Sequence, residues 1–160
     1  MEELNLKPDD QPIRQLKQQE PIPYELLLLA DETKELIDTY ALEGEIYVLE
    51  ENNQIIAVYV LQVLDAKRVE IKNIAVRQNY QGQGIGKCLL KDATRRAKDR
   101  GFETLLIGTA NGAIKQLYLY QKEGFEITSI KKNFFIDHYP EVIFENGIQC
   151  KHMIMLEKQL

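Results

Sequence analysis

The stretch NYQGQGIGKCLL, residues 79–90, brings three glycines within five positions, at 82, 84 and 86, just ahead of an apolar-periodic run. Glycine lets successive backbone N–H groups turn toward one point with no Cβ in the way, and a following helix N-terminus adds partial positive charge there. That is phosphate-binding chemistry, and spacing separates three versions of it. The dinucleotide fingerprint needs Gly-x-Gly-x-x-Gly; here the third glycine comes one residue early and no βαβ unit opens the chain. The P-loop needs four residues between its first glycine and a Gly-Lys pair followed by Ser or Thr. Gly82 and Gly86 enclose only three, and Cys88 follows Lys87. What remains is Gln-x-x-Gly-x-Gly, read at Gln81, Gly84 and Gly86, directly after the strand-like EIKNIAV. Such a nest of N–H groups binds a pyrophosphate without a metal.

With this pattern the chain resembles the GNAT superfamily of N-acetyltransferases, whose members bind acetyl-coenzyme A through this element. The resemblance extends over about residues 13 to 157 and rests on two further segments. NIAV puts Ile74, Ala75 and Val76 on the strand whose backbone, in that family, pairs with the pantetheine arm. LYQKEGF looks like the family's Leu-Tyr-x-x-x-Gly-Phe and puts Tyr120 at the position of a frequent catalytic tyrosine. The implied cofactor contacts are therefore Ile74, Ala75, Val76, Gln81, Gly82, Gln83, Gly84, Ile85, Gly86 and, by its backbone, Lys87. The chain departs from the family where many members carry Asn seven residues before the tyrosine and Ala four before. It has Ala113 and Gln116 there, and Asn111 nine before, expected either to reach the cofactor or to cap the next helix.

The resemblance implies direct acetyl transfer to an amine. The amine must lose a proton, the carbonyl oxygen must be stabilised as charge builds, and the departing thiolate must be protonated. A phenol with an ordinary pKa near 10 suits the last task, which makes Tyr120 the expected general acid. Tyr118, two residues away, points elsewhere on the same helix. Some histone-type members carry a catalytic glutamate four residues before Ile74, the position of Glu70 here, and strand alternation puts Glu70, Lys72 and Ile74 on one face. Glu70 is thus the expected base, with a water chain or a structural ion pair as alternatives. The oxyanion donor is expected to be the backbone N–H of Val76 or Ala75. Acceptor recognition is assigned to NFFIDHYPEVIFENG, whose Asp137, Tyr139 and Glu141 suit a cationic amine; a homodimer contact is the competing use of the same aromatic loop. The preferred acceptor is a small-molecule amine such as a polyamine. A protein N-terminus or lysine stands second, and a non-catalytic acyl-coenzyme A sensor is the reading from another class.

These residues need elements to position them. Residues 13–17 read as a first strand, and Tyr24–Leu42 as two helices broken near Asp31, with Leu26, Leu27, Leu29, Ala30, Leu36, Ile37 and Tyr40 at helical spacing. EIYVLE and IIAVYVLQVL, separated by ENNQ, read as a hairpin. A third strand follows at 67–76, with Val69, Ile71, Ile74 and Val76 expected inward. Ile85, Leu89, Leu90, Ala93 and Ala97 mark the buried stripe of a helix that Gly101 stops. Residues 103–110 read as a buried strand, the next helix runs to a Gly124 cap, and two strands then flank a long loop at 132–147. The expected fold is mixed α/β: a GNAT-like, mostly antiparallel sheet of about seven strands with about four helices, in a single domain over 1–160 whose residues 1–11 form a poorly ordered extension.

Composition agrees with a folded globular protein. The 160 residues are 44% hydrophobic and 28% charged, close to globular averages. A net charge of −5 repels a phosphate backbone and argues against nucleic acid. Neither a signal-peptide layout nor a membrane-spanning run is visible, which leads to the expectation of a cytoplasmic protein. Cys88 and Cys150 are expected as thiols on a helix and a strand; His138 and His152, with no ligand-spaced partner, are expected to be structural, and no metal is expected.

Overall fold

A computed structural model describes residues 13–160; the expected N-terminal extension at 1–11 lies outside the described residues. Among these described residues the architecture is mixed α/β, with seven strands in a largely antiparallel sheet, a separate two-stranded ribbon and five α-helices. The chain divides into two compact units: residues up to Val63 together with Ile71–Arg96, and Leu64–Glu70 together with Ala97–Leu160.

In the first unit the strand order is β1 (Arg14–Gln15), β2 (Glu45–Glu51), β3 (Gln54–Val63) and β4 (Arg68–Val76), the last entering this unit at Ile71. β2 and β3 form the expected antiparallel hairpin, with Tyr47 opposite Tyr59. Its turn places Asn52 and Asn53 at φ 51° and 60°, the left-handed pair that a two-residue hairpin loop favours. Two short helices, α1 (Tyr24–Leu27) and α2 (Lys34–Ala41), cover one face of these strands. Leu26, Leu27, Ile37, Tyr40 and Ala41 pack there with Ile46, Val48, Val58, Val60 and Ala75. Leu29, expected in this stripe, is exposed because α1 ends two residues before it. The break falls near Asp31, but the N-cap of α2 is Thr33, whose Oγ1 accepts from Leu36 N–H at 3.2 Å. Asp31 instead accepts from the Tyr40 hydroxyl at 3.0 Å.

Burial along β4 alternates at Ile71, Asn73 and Ala75, with Lys72, Ile74 and Val76 partly exposed. Ile74 and Val76 are therefore not the inward residues the sequence suggested; the polar Asn73 takes an interior place because its amide finds partners there. Helix α3 (Ile85–Asp99) buries Ile85, Leu89, Leu90, Ala93 and Ala97 as expected. Asp92 on α3 accepts from the Tyr59 hydroxyl at 2.5 Å, which ties the helix to β3, and from Arg96 Nε of the same helix at 2.8 Å.

In the second unit the order is β4, β5 (Thr104–Ala110), β9 (Met153–Gln159) and β6 (Glu126–Lys131). β9 is antiparallel to both neighbours, with Gly108 opposite Met155. A Cβ at Gly108 would come within 2.9 Å of the Met153 and Met155 sulfurs, so these two flexible side chains pack directly on the bare glycine backbone. Helix α4 (Ile114–Lys122) ends at Gly124, φ 94°, as expected. The region 132–147 is more ordered than a plain loop: it contains α5 (Phe134–His138) and the first strand of a small hairpin, β7 (Phe144–Glu145) with β8 (Ile148–Gln149). Cys150 lies between β8 and β9 rather than on a strand, buried with Ala110, Ala113, Phe135 and Ile143.

Candidate active site

In the first unit β4 runs into a single 3₁₀ turn, Gln78–Tyr80, and then the glycine loop. Arg77 pins the exit: its N–H donates to Ile56 C=O at 2.7 Å, and its guanidinium to Ile55 C=O at 2.9 Å and Glu25 at 2.7 Å. Gln81 reaches back so that Nε2 donates to Val76 C=O at 2.9 Å, tying the loop to the end of the NIAV strand. Gly82 and Gly84 stand at φ 77° and 83°, where a Cβ would meet nothing within 4 Å. Glycine is required by backbone conformation, not by space. The first intrahelical bond runs from Cys88 N–H to Gly84 C=O at 3.1 Å, so the N–H groups of Ile85, Gly86 and Lys87 precede the ladder at the positive end of a 15-residue helix. Its first turn carries no acidic residue. Left-handed glycines, leading N–H groups and an acid-free helix start together fit an anionic diphosphate.

Asn73, one residue before Ile74, was not singled out from sequence. Its Nδ2 donates to Leu27 C=O at 3.0 Å and to the Tyr40 hydroxyl at 2.9 Å, fastening β4 to the end of α1 and to α2. Its Oδ1 is buried with no partner among the described residues. An asparagine inside an otherwise apolar alternation was the available signal.

The second unit holds Tyr120, Glu70, Asn111 and the expected acceptor residues. Tyr120 is 4% exposed on α4, packed against Phe125 with ring centroids 6.2 Å apart. Burial first, and then the negative charge of Glu145, push its phenol above the ordinary value. Glu70 is buried on β4. Asn111 does not cap α4, whose N-cap residue, Ala113, makes no side-chain bond. Its amide bridges a different segment: Oδ1 accepts from Lys151 N–H at 2.8 Å and His152 N–H at 3.0 Å, and Nδ2 donates to Gln149 C=O at 3.1 Å. Those bonds occupy the side chain otherwise expected at the cofactor. Asp137 lies exposed on α5, Tyr139 half-buried just after it, and Glu141 exposed beyond. Both histidines make local contacts: His152 Nδ1 accepts from Asn133 N–H at 2.9 Å, and His138 stacks on Phe134 at 4.5 Å. Among the described residues no group of three or more His, Cys, Asp or Glu could hold a metal ion.

Residues 43–127 match the family model of the acetyltransferase (GNAT) domain. The uncharacterized N-acetyltransferase YvbK of Bacillus subtilis is 49% identical over 133 residues, 83% of this chain and 86% of that protein. The ribosomal protein bS18-alanine N-acetyltransferase of Haemophilus influenzae is 38% identical over 97 residues, 58% of this chain and 64% of that protein. A crystal structure of a GNAT family acetyltransferase from Elizabethkingia anophelis with acetyl-CoA bound superposes with a TM-score of 0.92 at 54% identity, covering 95% of this chain and 99% of that one. By this family match and these relatives, the chain belongs to the GNAT family of acetyltransferases.

Proposed function

We propose that the protein transfers the acetyl group of acetyl-coenzyme A directly to a primary amine of a small molecule, a polyamine or other amino compound being the preferred class. The observation that carries the acetyl-coenzyme A half of the reading is the pair of left-handed glycines, Gly82 and Gly84, leading into an acid-free helix start; the small-amine half rests on the carboxylates and aromatics of residues 133–147. Acetyl-coenzyme A supplies an activated thioester carbonyl. The N–H groups of Gln81–Lys87 hold the pyrophosphate, and the backbone of Ile74, Ala75 and Val76 pairs with the pantetheine arm. A backbone N–H of Ala75 or Val76 stabilises the developing oxyanion. Glu70 takes the proton of the attacking amine, and Tyr120, kept protonated by its surroundings, gives a proton to the leaving thiolate. Asp137, Tyr139 and Glu141 receive the acceptor. Asn111 is left its structural bridge.

The deciding experiment is release of free coenzyme A, corrected for hydrolysis, across polyamines, amino acids, aminoglycosides and short peptides, with Tyr120→Phe alongside the wild type. Turnover is expected on a small amine, with kcat in the variant lower by roughly 100-fold or more and acetyl-coenzyme A affinity nearly unchanged. An unchanged kcat in Tyr120→Phe removes the acid assignment. Similarity to the Haemophilus influenzae enzyme, whose name gives it a protein alanine as acceptor, supports a second reading: acetylation of a protein N-terminus. Turnover confined to Ala-initiated peptides would establish that one. Binding without any turnover would favour an acyl-coenzyme A sensor.

A further inference from the structure

We propose that strand β6 is a self-complementary edge through which two copies of this chain pair antiparallel about a two-fold axis. β6 (Glu126–Lys131) is the last strand of its sheet, paired only with β9 among the described residues, and all six of its residues are exposed. An uncovered edge presents a row of unpaired N–H and C=O groups, which natural sheets usually blunt with proline, inward-pointing charge or very short strands. At the other end of the sheet β1 is only two residues long. β6 has no proline and keeps its charges at its two ends.

The register supplies the complementarity. Ile127 opposes Leu156 and Ser129 opposes Met155, so Thr128 is an extra residue, a bulge in the strand. Around it the ladder reads Glu126, Ile127, Ser129, Ile130, Lys131. Opposed residues share a face, and the partners of Ile127 and Ile130 are Leu156 and Ile154, two positions apart on β9. The bulge therefore brings both isoleucines to one face, where a regular strand would separate them, and puts Glu126, Ser129 and Lys131 on the other. Reversed about Ser129, this series is complementary to itself. Ile127 meets Ile130 of the second copy, Ser129 meets its own counterpart, and Glu126 meets Lys131 of the second copy, each unlike pair occurring twice by symmetry. Ile127 and Ile130 are 51% and 59% exposed, so four apolar side chains leave water together. The end charges also have cause to pair. Glu126 stands directly opposite Glu157 on β9, a like-charge pair that a lysine arriving at the outer side offsets. Lys131 makes no ion pair among the described residues; its ammonium lies 5.8 Å from the Phe134 ring and the residue stays exposed. The contact closes at two copies, because each offers one such edge. A strand pair of this length buries less than the roughly 1,200 Å² of lasting complexes, which makes the expected dimer reversible and concentration-dependent.

The test is sedimentation equilibrium, from micromolar to submillimolar protein, on wild type, Ile130→Asp, Glu126→Lys, Lys131→Glu and, as a control on the aromatic segment, Phe144→Ser. Circular dichroism verifies that each is folded. The wild type is expected to follow a monomer–dimer equilibrium. Ile130→Asp, which carries a carboxylate into both apolar pairs, should be monomeric throughout. Each charge reversal should weaken the dimer roughly tenfold or more. The larger loss belongs to Lys131→Glu, which adds a third carboxylate to Glu126 and Glu157. An equimolar mixture of the two reversals should recover association, since every end pair then joins opposite charges, and Phe144→Ser should dimerise as the wild type does. If Ile130→Asp fails to fold, the mixture decides alone. A wild type that is monomeric throughout, or that forms assemblies larger than two, overturns the proposal. So does a dimer that a folded Ile130→Asp leaves intact, or a mixture that stays monomeric. A dimer lost in Phe144→Ser and kept in the β6 variants overturns it too, and moves the contact to the aromatic segment.

Discussion

A buried phenol resists ionisation because its anion loses solvation, and Tyr120 has a carboxylate, Glu145, adding to that resistance. Its pKa therefore lies above the ordinary 10 in the folded protein. For a group raised in this way the folded state is favoured fully below the unfolded value, and the contribution is lost only as pH rises through the folded one. Tyr120 should then remain a proton donor throughout the usable range. In pH profiles of kcat up to pH 10, wild type and Tyr120→Phe should differ in height but share their alkaline shape. A limb below pH 10 that is present in the wild type and absent from the variant would contradict this. At the same scale the sequence was legible where a motif dictates backbone conformation, as with the left-handed Gly82 and Gly84. It was not legible where a role depends on a distant partner. Asn111 was expected at the cofactor or as a helix cap, yet its amide bonds residues 38 to 41 positions away.

Among the elements, periodicity located every long helix and strand, because burial of one face imposes the repeat. The shorter pieces escaped it. The Asn-Gly pair at 146–147 is a hairpin signal that makes β7–β8 readable in hindsight, and Asn133 at φ 59° opens α5 with a left-handed residue. The bridge made by Asn111 is what holds this region to the β5–α4 turn, and its removal is measurable. Asn111→Ala leaves two backbone donors and one carbonyl without their partner, and should lower stability by about 1–2 kcal/mol. Urea unfolding with an unchanged m-value would report it as a shift in midpoint. A midpoint equal to that of the wild type would mean that water replaces the amide at no cost.

For the whole molecule, the antiparallel character and the strand count followed from counting apolar runs, but the order did not. That β9 enters between β5 and β6 is a long-range pairing, with Gly108 fitted against two methionine sulfurs, and no local pattern encodes it. The division into two compact units was likewise invisible in composition; the nest lies in the first, and Tyr120 with the hairpin in the second. No helix among the described residues is long and apolar enough to cross a membrane. The central claim is that backbone N–H groups of residues 81–87 hold the pyrophosphate of acetyl-coenzyme A. Calorimetric titration of acetyl-coenzyme A into wild type and Gly84→Asp tests it most directly. A Cβ at φ 83° costs about 1–2 kcal/mol, and a carboxylate there repels the ligand. The account predicts saturable one-site binding by the wild type and none measurable by a folded Gly84→Asp variant. Equal affinity in the two proteins, or no binding by the wild type, would contradict it.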